Sequence, residues 1–293
     1  MMSNDIKGIV LAIISGASFG LIPLFTIPVI EEGMGNVSII FYRFFFGSIF
    51  MLAFMLFRQQ SLRIGWGEFW RISILSLIYI ICAVTLFTSY NYISSGVATS
   101  LVYTNPIWCS LIGLVFLKER LSVSLCIALL MAVVGVMMLS GFFDEDARFS
   151  LYGILLGLCS GIGYGIYLVV LPRLRLKKMP SLKFTFYIFS LALLYLVIYS
   201  TIFEGGIEVP VVQSSWLNLI LVGLLPTALS NICVTMALRL INTTVVSILG
   251  AFEPFTALII GIIVFDEPYS FVSISGCIMV LIAVILATIK GKP

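Results

Sequence analysis

Two ionisable side chains lie inside long apolar stretches of this sequence. Arg43 occurs in the segment FYRFFF, and Glu253 occurs in the segment GAFEPF. Burying either charge in hydrocarbon costs several kcal/mol unless it is paired or hydrated, so both side chains are predicted to face the inside of a helical bundle. A guanidinium and a carboxylate in such a place can contact a charged solute, form a fixed ion pair, or take part in proton transfer.

Metal and catalytic chemistry gain no support from the other residues. The chain has no histidine, and its six cysteines stand singly in apolar segments without metal-ligand spacing. An intramembrane enzyme would need a nucleophile with a base, or a metal cluster, and the sequence supplies neither. We therefore predict no metal, no cofactor and no enzymatic activity, and the net charge of +3 gives no support to a nucleic-acid partner.

The elements that carry these residues are predicted to be transmembrane helices. Of the 293 residues, 61% are hydrophobic and only 10% are charged, whereas a soluble domain is about 25% charged. A helix needs about 20 apolar residues to cross the hydrocarbon core of a bilayer. Ten such runs follow one another, at residues 7–30, 36–57, 69–92, 96–116, 122–140, 150–171, 180–203, 215–240, 243–265 and 270–289.

The charges in the loops predict the orientation of these spans. If the N-terminus is cytoplasmic, the lysines and arginines outside the spans fall on the cytoplasmic side, with Arg148 as the exception. This is the positive-inside pattern, and it predicts an inner-membrane protein with both termini in the cytoplasm.

An internal repeat divides the chain into two five-helix units, predicted at residues 1–143 and 144–293. The segment GVATSLVYTNPIWCSLIGLVFLKERLS, starting at Gly96, aligns with TVVSILGAFEPFTALIIGIIVFDEPYS, starting at Thr244. SGASFG, from Ser15, likewise aligns with SGIGYG, from Ser160. Because five is odd, the second unit must enter the membrane from the opposite side. The fold class is therefore an all-α integral membrane protein of two inverted repeats, an arrangement typical of secondary transporters.

The doubled motif also resembles a known family. NPIWCSLIGLVFLKER and EPFTALIIGIIVFDEP, each with a proline, a following glycine and a later glutamate, look like the paired EamA domains of the drug/metabolite transporter superfamily, and the arginine of FYRFFF fits as well. The resemblance covers nearly the whole chain. It implies ten helices around a central cavity and, commonly, export of small metabolites such as amino acids.

Two prolines are predicted to break helices at the bilayer midplane. Glu253 lies about ten residues into its span, near the midplane, and Pro254 follows it. Proline cannot donate a hydrogen bond to the carbonyl four residues earlier. Pro254 and Pro106 are thus expected to leave the carbonyls of Gly250 and Val102 open as acceptors.

Glu253 is the candidate coupling residue. Apolar surroundings penalise a charged carboxylate, so proton uptake and release at Glu253 could accompany solute movement. The alternative is a fixed structural bridge with Arg43. The aligned residue of the first repeat is Asn105, which cannot titrate, so proton coupling would be asymmetric between the repeats.

Other mid-span polar and aromatic side chains form a candidate cavity lining for a small solute, although each of them could instead join helices. With Glu253 and Arg43, the candidates for the substrate or proton pathway are Asn105, Trp108, Tyr103, Tyr79, Tyr90, Ser15, Tyr164 and Asn231. Glycines four residues apart in the first and sixth spans, such as Gly16 with Gly20 and Gly157 with Gly161, are predicted to be packing faces.

The sequence thus predicts a membrane transporter that moves a small metabolite by alternating access, with export as the favoured direction. Its predicted partners are the solute and lipid, with protons as a candidate partner. A passive facilitator of the same architecture and a non-transporting scaffold are the alternatives. A monomer and a homodimer both remain open.

Overall fold

The computed structural model describes most of the chain. The residues described are 4–105, 107, 108, 111, 112, 123, 126, 127, 130, 131, 134, 135, 138, 150–170, 179–241, 246, 249, 250, 252–266 and 270–289. Most of the predicted fifth span, residues 122–140, lies outside them, and so does Pro106.

Within the described residues the secondary structure is helical, without strands. The first half contains α1 (Asn4–Phe19), α2 (Ile22–Glu31), α3 (Asn36–Phe57), α4 (Trp66–Ser89) and α5 (Ser95–Val102). The second half contains α6 (Leu151–Val170), α7 (Ser181–Phe203), α8 (Gln213–Val222), a π-helical segment (Gly223–Leu229), α9 (Ser230–Leu240), α10 (Phe252–Val264) and α11 (Phe271–Ile289). These helices occupy the positions of the predicted spans wherever the chain is described.

Five helical stretches are long and apolar enough to cross a membrane, by the same length criterion as in the sequence. They are 4–31, 36–57, 66–89, 182–203 and 213–237, and shorter apolar helices occupy 151–167, 252–264 and 274–283. The outer faces of these helices remain apolar: Phe57 and Phe271, for example, are more than four-fifths exposed. Such surfaces match a lipid solvent rather than water.

Two of the long stretches are interrupted at residues that disturb helical hydrogen bonding. The first bends between α1 and α2 at Gly20 and Leu21, just before Pro23. The stretch 213–237 widens into the π-helical segment around Pro226, which lacks the N–H needed for a regular α-helical bond. Both interruptions lie inside the bundle and shape its interior.

Close helix crossings connect the two halves of the chain at glycines. A Cβ added at Gly20 in α1 would lie 2.5 Å from the carbonyl oxygen of Glu253, and one at Gly16 would lie 3.0 Å from that of Leu249. In the second half, a Cβ at Gly161 in α6 would lie 2.8 Å from the carbonyl oxygen of Leu101. The predicted role of these glycines in packing is confirmed, because no larger residue allows such close backbone approach.

Replacing Gly20 with alanine is expected to destabilise the protein by about 1–3 kcal/mol, because the added methyl group meets backbone that cannot rotate away. The matched control is Gly67→Ala in the exposed first turn of α4, where the methyl group meets nothing within 4 Å and should stabilise the helix by about 0.5–1 kcal/mol. Unfolding in mixed micelles measures both. A Gly20→Ala variant as stable as Gly67→Ala would contradict the crossing.

Candidate functional site

A small cavity lies at the place where helices from the two halves of the chain meet. Its volume is about 80 Å³. Six of the predicted site residues line it, namely Arg43, Tyr79, Tyr103, Asn105, Tyr164 and Glu253. Phe19, Ile22, Cys82, Ala83, Leu86, Val102 and Ser160 complete the described lining. We call this space the central cavity.

Arg43 enters the central cavity from α3 and is almost completely buried, with 4% of its surface exposed. Its Nε donates a hydrogen bond to the hydroxyl of Thr227, at 3.0 Å. The guanidinium carbon also lies 5.7 Å from the ring centres of Phe44 and Phe87, within the range of cation–π attraction. One hydrogen bond and two aromatic faces therefore hold the charge, while the side chain still reaches the cavity.

The partner of Arg43 belongs to the π-helical segment. Thr227 follows Pro226, and its hydroxyl donates to the carbonyl of Val222, at 2.8 Å. The π-helical segment lies directly on α3, since a Cβ at Gly47 would meet the Thr227 methyl group at 2.7 Å. A Cβ at Gly223 would meet Phe46 at 2.5 Å. The widened turn and two glycines thus bring the Thr227 hydroxyl within reach of Arg43.

Glu253 lies in the first turn of α10, immediately after a break in the helical backbone at Gly250. Its side chain is half-buried and lines the central cavity, while its backbone crosses α1 at Gly20. Among the described residues, no ion pair within 4 Å joins Glu253 to Arg43. The two opposite charges therefore border the same cavity without closing it as a bridge.

The corresponding break in the first half falls between α5 and Asn105. The chain makes a turn at Tyr103 and Thr104, and Asn105 donates from its amide nitrogen to the carbonyl of Val102, at 3.1 Å. In the second half, the carbonyl of Gly250 accepts the backbone N–H of Glu253, at 2.9 Å. The prediction that these two carbonyls are open acceptors is wrong. At the break in the second half, a backbone N–H three residues later binds the Gly250 carbonyl. At the break in the first half, the Asn105 side chain binds the Val102 carbonyl.

Tyrosines form one wall of the central cavity. Tyr79 in α4 lies 6.3 Å from Tyr164 and 5.6 Å from Tyr167, measured between ring centres. Tyr164 and Tyr167 stack at 5.6 Å with their planes 12° apart. Phe189 of α7 packs behind Tyr79, at 5.9 Å. Of these rings, Tyr79 and Tyr164 line the central cavity and offer aromatic faces with polar hydroxyl groups to a solute there.

The structure places several predicted site residues outside the described lining of the central cavity. Ser15 exchanges hydrogen bonds with Ser230 between α1 and α9, which is a helix-joining role. Tyr90 packs at the end of α4 against Phe87, at 5.7 Å. Trp108 donates to the hydroxyl of Thr104, at 3.0 Å, and does not belong to the described cavity lining. Pro254, the described member of the two predicted helix-breaking prolines, is buried in α10.

Asn231 lines a different and larger space, which we call the second pocket. Its volume is about 290 Å³, and it lies between α3, α7 and α9. Asn231 donates to the backbone carbonyl of Thr227, at 2.7 Å, so it is one hydrogen bond away from the residue that holds Arg43. The described lining consists of Met51, Phe54, Arg58, Gln60, Pro180, Leu182, Thr185, Asn231, Ile232, Thr235, Met236 and Leu240.

Two glutamates, one from each half, form hydrogen bonds with the other half at one end of the bundle. Glu208, before α8, accepts the N–H of Gly35 on its carboxylate at 2.6 Å, and its own N–H donates to the Ser38 hydroxyl at 3.0 Å. In the reverse direction, the hydroxyl of Ser215, in α8, donates to the carboxylate of Glu32. Each carboxylate thus lies at the N-terminus of a helix from the other half, where helix dipoles favour negative charge. We call these contacts the loop latch.

Sequence reasoning missed Thr227, Ser160 and Cys82. Ser160 donates to the carbonyl of Cys82, at 2.8 Å, and both line the central cavity. The signal for Thr227 was present, because Pro226 and Thr227 together interrupt an apolar span and can expose or re-pair a backbone carbonyl. Nothing local in the sequence distinguishes Ser160 or Cys82 from the other small residues of their helices.

Comparison with known proteins fits this arrangement. The model of the EamA-like transporter family matches residues 6–141 and 151–289, almost the whole chain, in two regions. The chain belongs to the EamA-like transporter family. It is accordingly a multi-pass membrane protein of a transporter family, which implies a small-molecule substrate and a lipid environment and indicates a transporter rather than an enzyme.

Named relatives agree. An "Uncharacterized transporter" of Archaeoglobus fulgidus is 26% identical over 278 residues, which cover 94% of each chain. The "Uncharacterized transporter YojE" of Bacillus subtilis is 28% identical over 276 residues, 90% of this chain and 87% of its own. A solved crystal structure superposes with a TM-score of 0.69 over 96% of both chains at 16% identity, which shows a shared fold.

Replacing Thr227 with valine is expected to destabilise the protein by about 1–3 kcal/mol, because the buried Arg43 guanidinium then loses its described hydrogen-bond acceptor. The control Thr227→Ser keeps the hydroxyl and removes one buried methyl group, for a loss of about 0.8 kcal/mol. Unfolding in mixed micelles again provides the measurement. If valine is tolerated as well as serine, Arg43 does not depend on Thr227.

Proposed function

We propose that this protein is a secondary transporter that exports a small metabolite, an amino acid or a similar solute, by alternating access. The observation that carries this proposal is the central cavity, where Arg43 from the first half and Glu253 from the second half border one space. These two opposite charges, between which the described part of the chain shows no ion pair, remain available to a solute that carries both charges. A purely structural pair would be expected in direct contact.

We further propose ten transmembrane helices in two inverted five-helix repeats, residues 1–143 and 144–293. Reciprocal packing supports this arrangement. The first helix of each half uses glycines to cross the broken helix of the other half, Gly20 at Glu253 and Gly161 near Val102. In inverted-repeat carriers, exchange of the two half-conformations moves the opening of the cavity from one side to the other.

The proposed setting is the inner membrane, with both termini in the cytoplasm, as the positive-inside pattern of the loops indicates. Both halves of the proposed inverted repeat lie in one chain, which supports a functional monomer.

The contacts at the two ends of the bundle support an inward-facing conformation. With cytoplasmic termini, the loop latch lies on the outer side, where Glu32 and Glu208 tie the two halves together. The second pocket lies on the cytoplasmic side, next to Arg58. A carrier that loads from the cytoplasm and releases outward would have to break the loop latch in each cycle.

Glu253 is the proposed coupling group. The test uses purified protein in liposomes loaded with amino acids, nucleobases, sugars and cationic drugs, with efflux followed by mass spectrometry with and without a pH gradient. Loss of the titrating carboxyl in Glu253→Gln is expected to reduce gradient-driven efflux by about 10²-fold, the magnitude typical of removing a positioned proton-transfer group. Glu253→Asp, which retains a carboxyl group, serves as the matched control and should keep the dependence on the gradient.

The outcomes separate the alternatives. Saturable efflux that does not respond to the gradient or to Glu253→Gln would mean a passive facilitator. Absence of flux for every solute class in the wild type would favour a non-transporting scaffold. Full activity of Glu253→Gln together with full dependence on the gradient would end the coupling hypothesis.

Weakening the loop latch is expected to open the outer side. The background lacks the native cysteines and carries Val29→Cys as a reporter, because Val29 is fully buried in α2. In this background, Glu32→Gln should raise the rate at which the reporter cysteine reacts with an external, impermeant maleimide about tenfold. The reason is that a hydrogen bond to a charged group contributes about 1.5–3 kcal/mol. Glu31→Gln, a neighbouring exposed carboxylate outside the loop latch, is the control. Equal rates in the two variants would exclude a gating role.

A further inference from the structure

The second pocket has more room than the central cavity in this conformation. The central cavity measures about 80 Å³, whereas the second pocket measures about 290 Å³. One water molecule takes about 30 Å³ of liquid volume, so the central cavity has room for little more than two or three waters. Small-molecule sites begin at about 300 Å³. Of these two spaces, the second pocket is therefore the one with a volume near that of a small-molecule site.

The described lining of the second pocket combines an apolar wall with a positive edge. Phe54, Leu182 and Met236 contribute to the apolar wall. Arg58 stands at the rim, and its guanidinium carbon lies 5.3 Å from the ring centre of Phe54, which fixes the charge beside the pocket. A ligand with an apolar body and one anionic group matches this distribution.

Gln60 adds a requirement for a hydrogen-bond donor. Its side-chain oxygen is shielded from solvent and accepts no hydrogen bond from the described part of the chain, although the residue lines the second pocket. A buried acceptor without a partner costs about 1–3 kcal/mol. A ligand that offers an O–H or N–H group to this oxygen, after a small rotation of the Gln60 side chain, would remove that cost.

The second pocket and the central cavity are neighbours along α3. Arg43, Gly47 and Met51 succeed one another at four-residue intervals, so they share one face of the helix. Arg43 lines the central cavity and Met51 the second pocket, about 12 Å apart along the helix axis at 1.5 Å per residue. Gly47 lies between them against Thr227. About two turns of helix and the π-helical segment thus separate the two spaces.

The hydrogen bonds of Thr227 connect the same two spaces. Its hydroxyl accepts the N–H of Arg43 at the central cavity, and its carbonyl accepts the amide of Asn231, which lines the second pocket. A ligand that displaces Asn231 would therefore act on the residue that positions Arg43. Because the π-helical segment already lacks a regular hydrogen-bond pattern, it is a suitable place for such a local change.

We propose that the second pocket is a cytoplasmic loading site for the transported solute, separate from the central cavity. It takes amphipathic solutes that combine an anionic group, a hydrogen-bond donor and an apolar body. This inference deepens the proposed transport function and rests on it for the identity of the ligand as cargo. Its binding test is independent of transport.

The test measures equilibrium binding to the full chain in nanodiscs, with 3-phenyllactate as the probe. Two analogues each lack one feature: 3-phenylpropionate lacks the hydroxyl donor, and the methyl ester of 3-phenyllactate lacks the charge. The wild type is expected to bind 3-phenyllactate about tenfold more tightly than either analogue. Arg58→Gln should remove the preference over the ester, and Gln60→Leu should remove the preference over 3-phenylpropionate.

Arg63→Gln is the matched control, since Arg63 lies in the same loop but is not part of the described pocket lining. It should bind all three probes as the wild type does. In transport of 3-phenyllactate from the cytoplasmic face, Arg58→Gln should raise KM about tenfold and leave kcat unchanged, because the residue acts in loading.

Several results would overturn the assignment. Equal binding of the three probes by the wild type would exclude this recognition chemistry, and wild-type affinity in both Arg58→Gln and Gln60→Leu would place binding elsewhere. Loss of probe binding when phosphatidylglycerol is added to the nanodisc would mean that a lipid headgroup occupies the pocket. Binding with the expected preferences but no flux of 3-phenyllactate would retain the pocket as a ligand site and reject its role in loading cargo, whereas the transporter proposal is rejected only by absence of flux for every solute class.

Discussion

The arrangement of this bundle depends on keeping the Arg43 guanidinium charged in an apolar interior. A charge in that environment is tolerated only if polar groups, aromatic faces or water replace its hydration. Among the described residues, Arg43 has one hydrogen-bond partner, Thr227, together with two ring faces and an adjoining cavity. Water or a solute in the central cavity can hydrate the guanidinium, so the charge favours a polar space there.

This requirement explains features that would otherwise weaken the helices. The π-helical segment around Pro226 gives up regular hydrogen bonds, yet it brings the Thr227 hydroxyl to Arg43. Gly47 and Gly223 reduce helix propensity, yet they let α3 and the π-helical segment approach each other closely enough for that contact. The local losses are offset by solvation of a buried charge, which is worth several kcal/mol. The irregular geometry of the π-helical segment is therefore explained by the need to solvate the Arg43 charge.

The sequence predicted the elements better than the site. Helix α3 begins and ends where the apolar run 36–57 does, since glycine precedes it and charged residues follow it. Arg43 and Glu253 could be assigned to one cavity because lipid excludes charge from every other position. The sequence did not predict that Asn231 lines the second pocket rather than the central cavity, because a π-helical segment changes the direction in which the following residues face and a 3.6-residue periodicity does not describe that change.

For uncharged polar residues the residue type predicts less: Asn105 lines the central cavity, whereas Ser15 and Trp108 do not belong to its described lining. Ser15, Asn105 and Trp108 each satisfy a backbone or hydroxyl partner nearby, and a hydroxyl or amide in a membrane interior has so many such partners that its type says little about its direction. The freed carbonyls at Gly250 and Val102 show the same principle from the backbone side. An acceptor exposed by proline is expensive in hydrocarbon, so the chain re-pairs it locally whenever geometry allows.

The glycine crossings connect these static features with movement. Where Gly20 meets the backbone of Glu253 and Gly161 meets that of Leu101, the nearest atom is a backbone carbonyl oxygen, so the helices approach without a large side chain between them. The polar restraints lie elsewhere, at Thr227 and in the loop latch. The bundle thus combines close backbone crossings with discrete hydrogen bonds, near the centre at Thr227 and Ser15 and at one end in the loop latch. A solute that competes for one of these bonds can shift the conformational equilibrium.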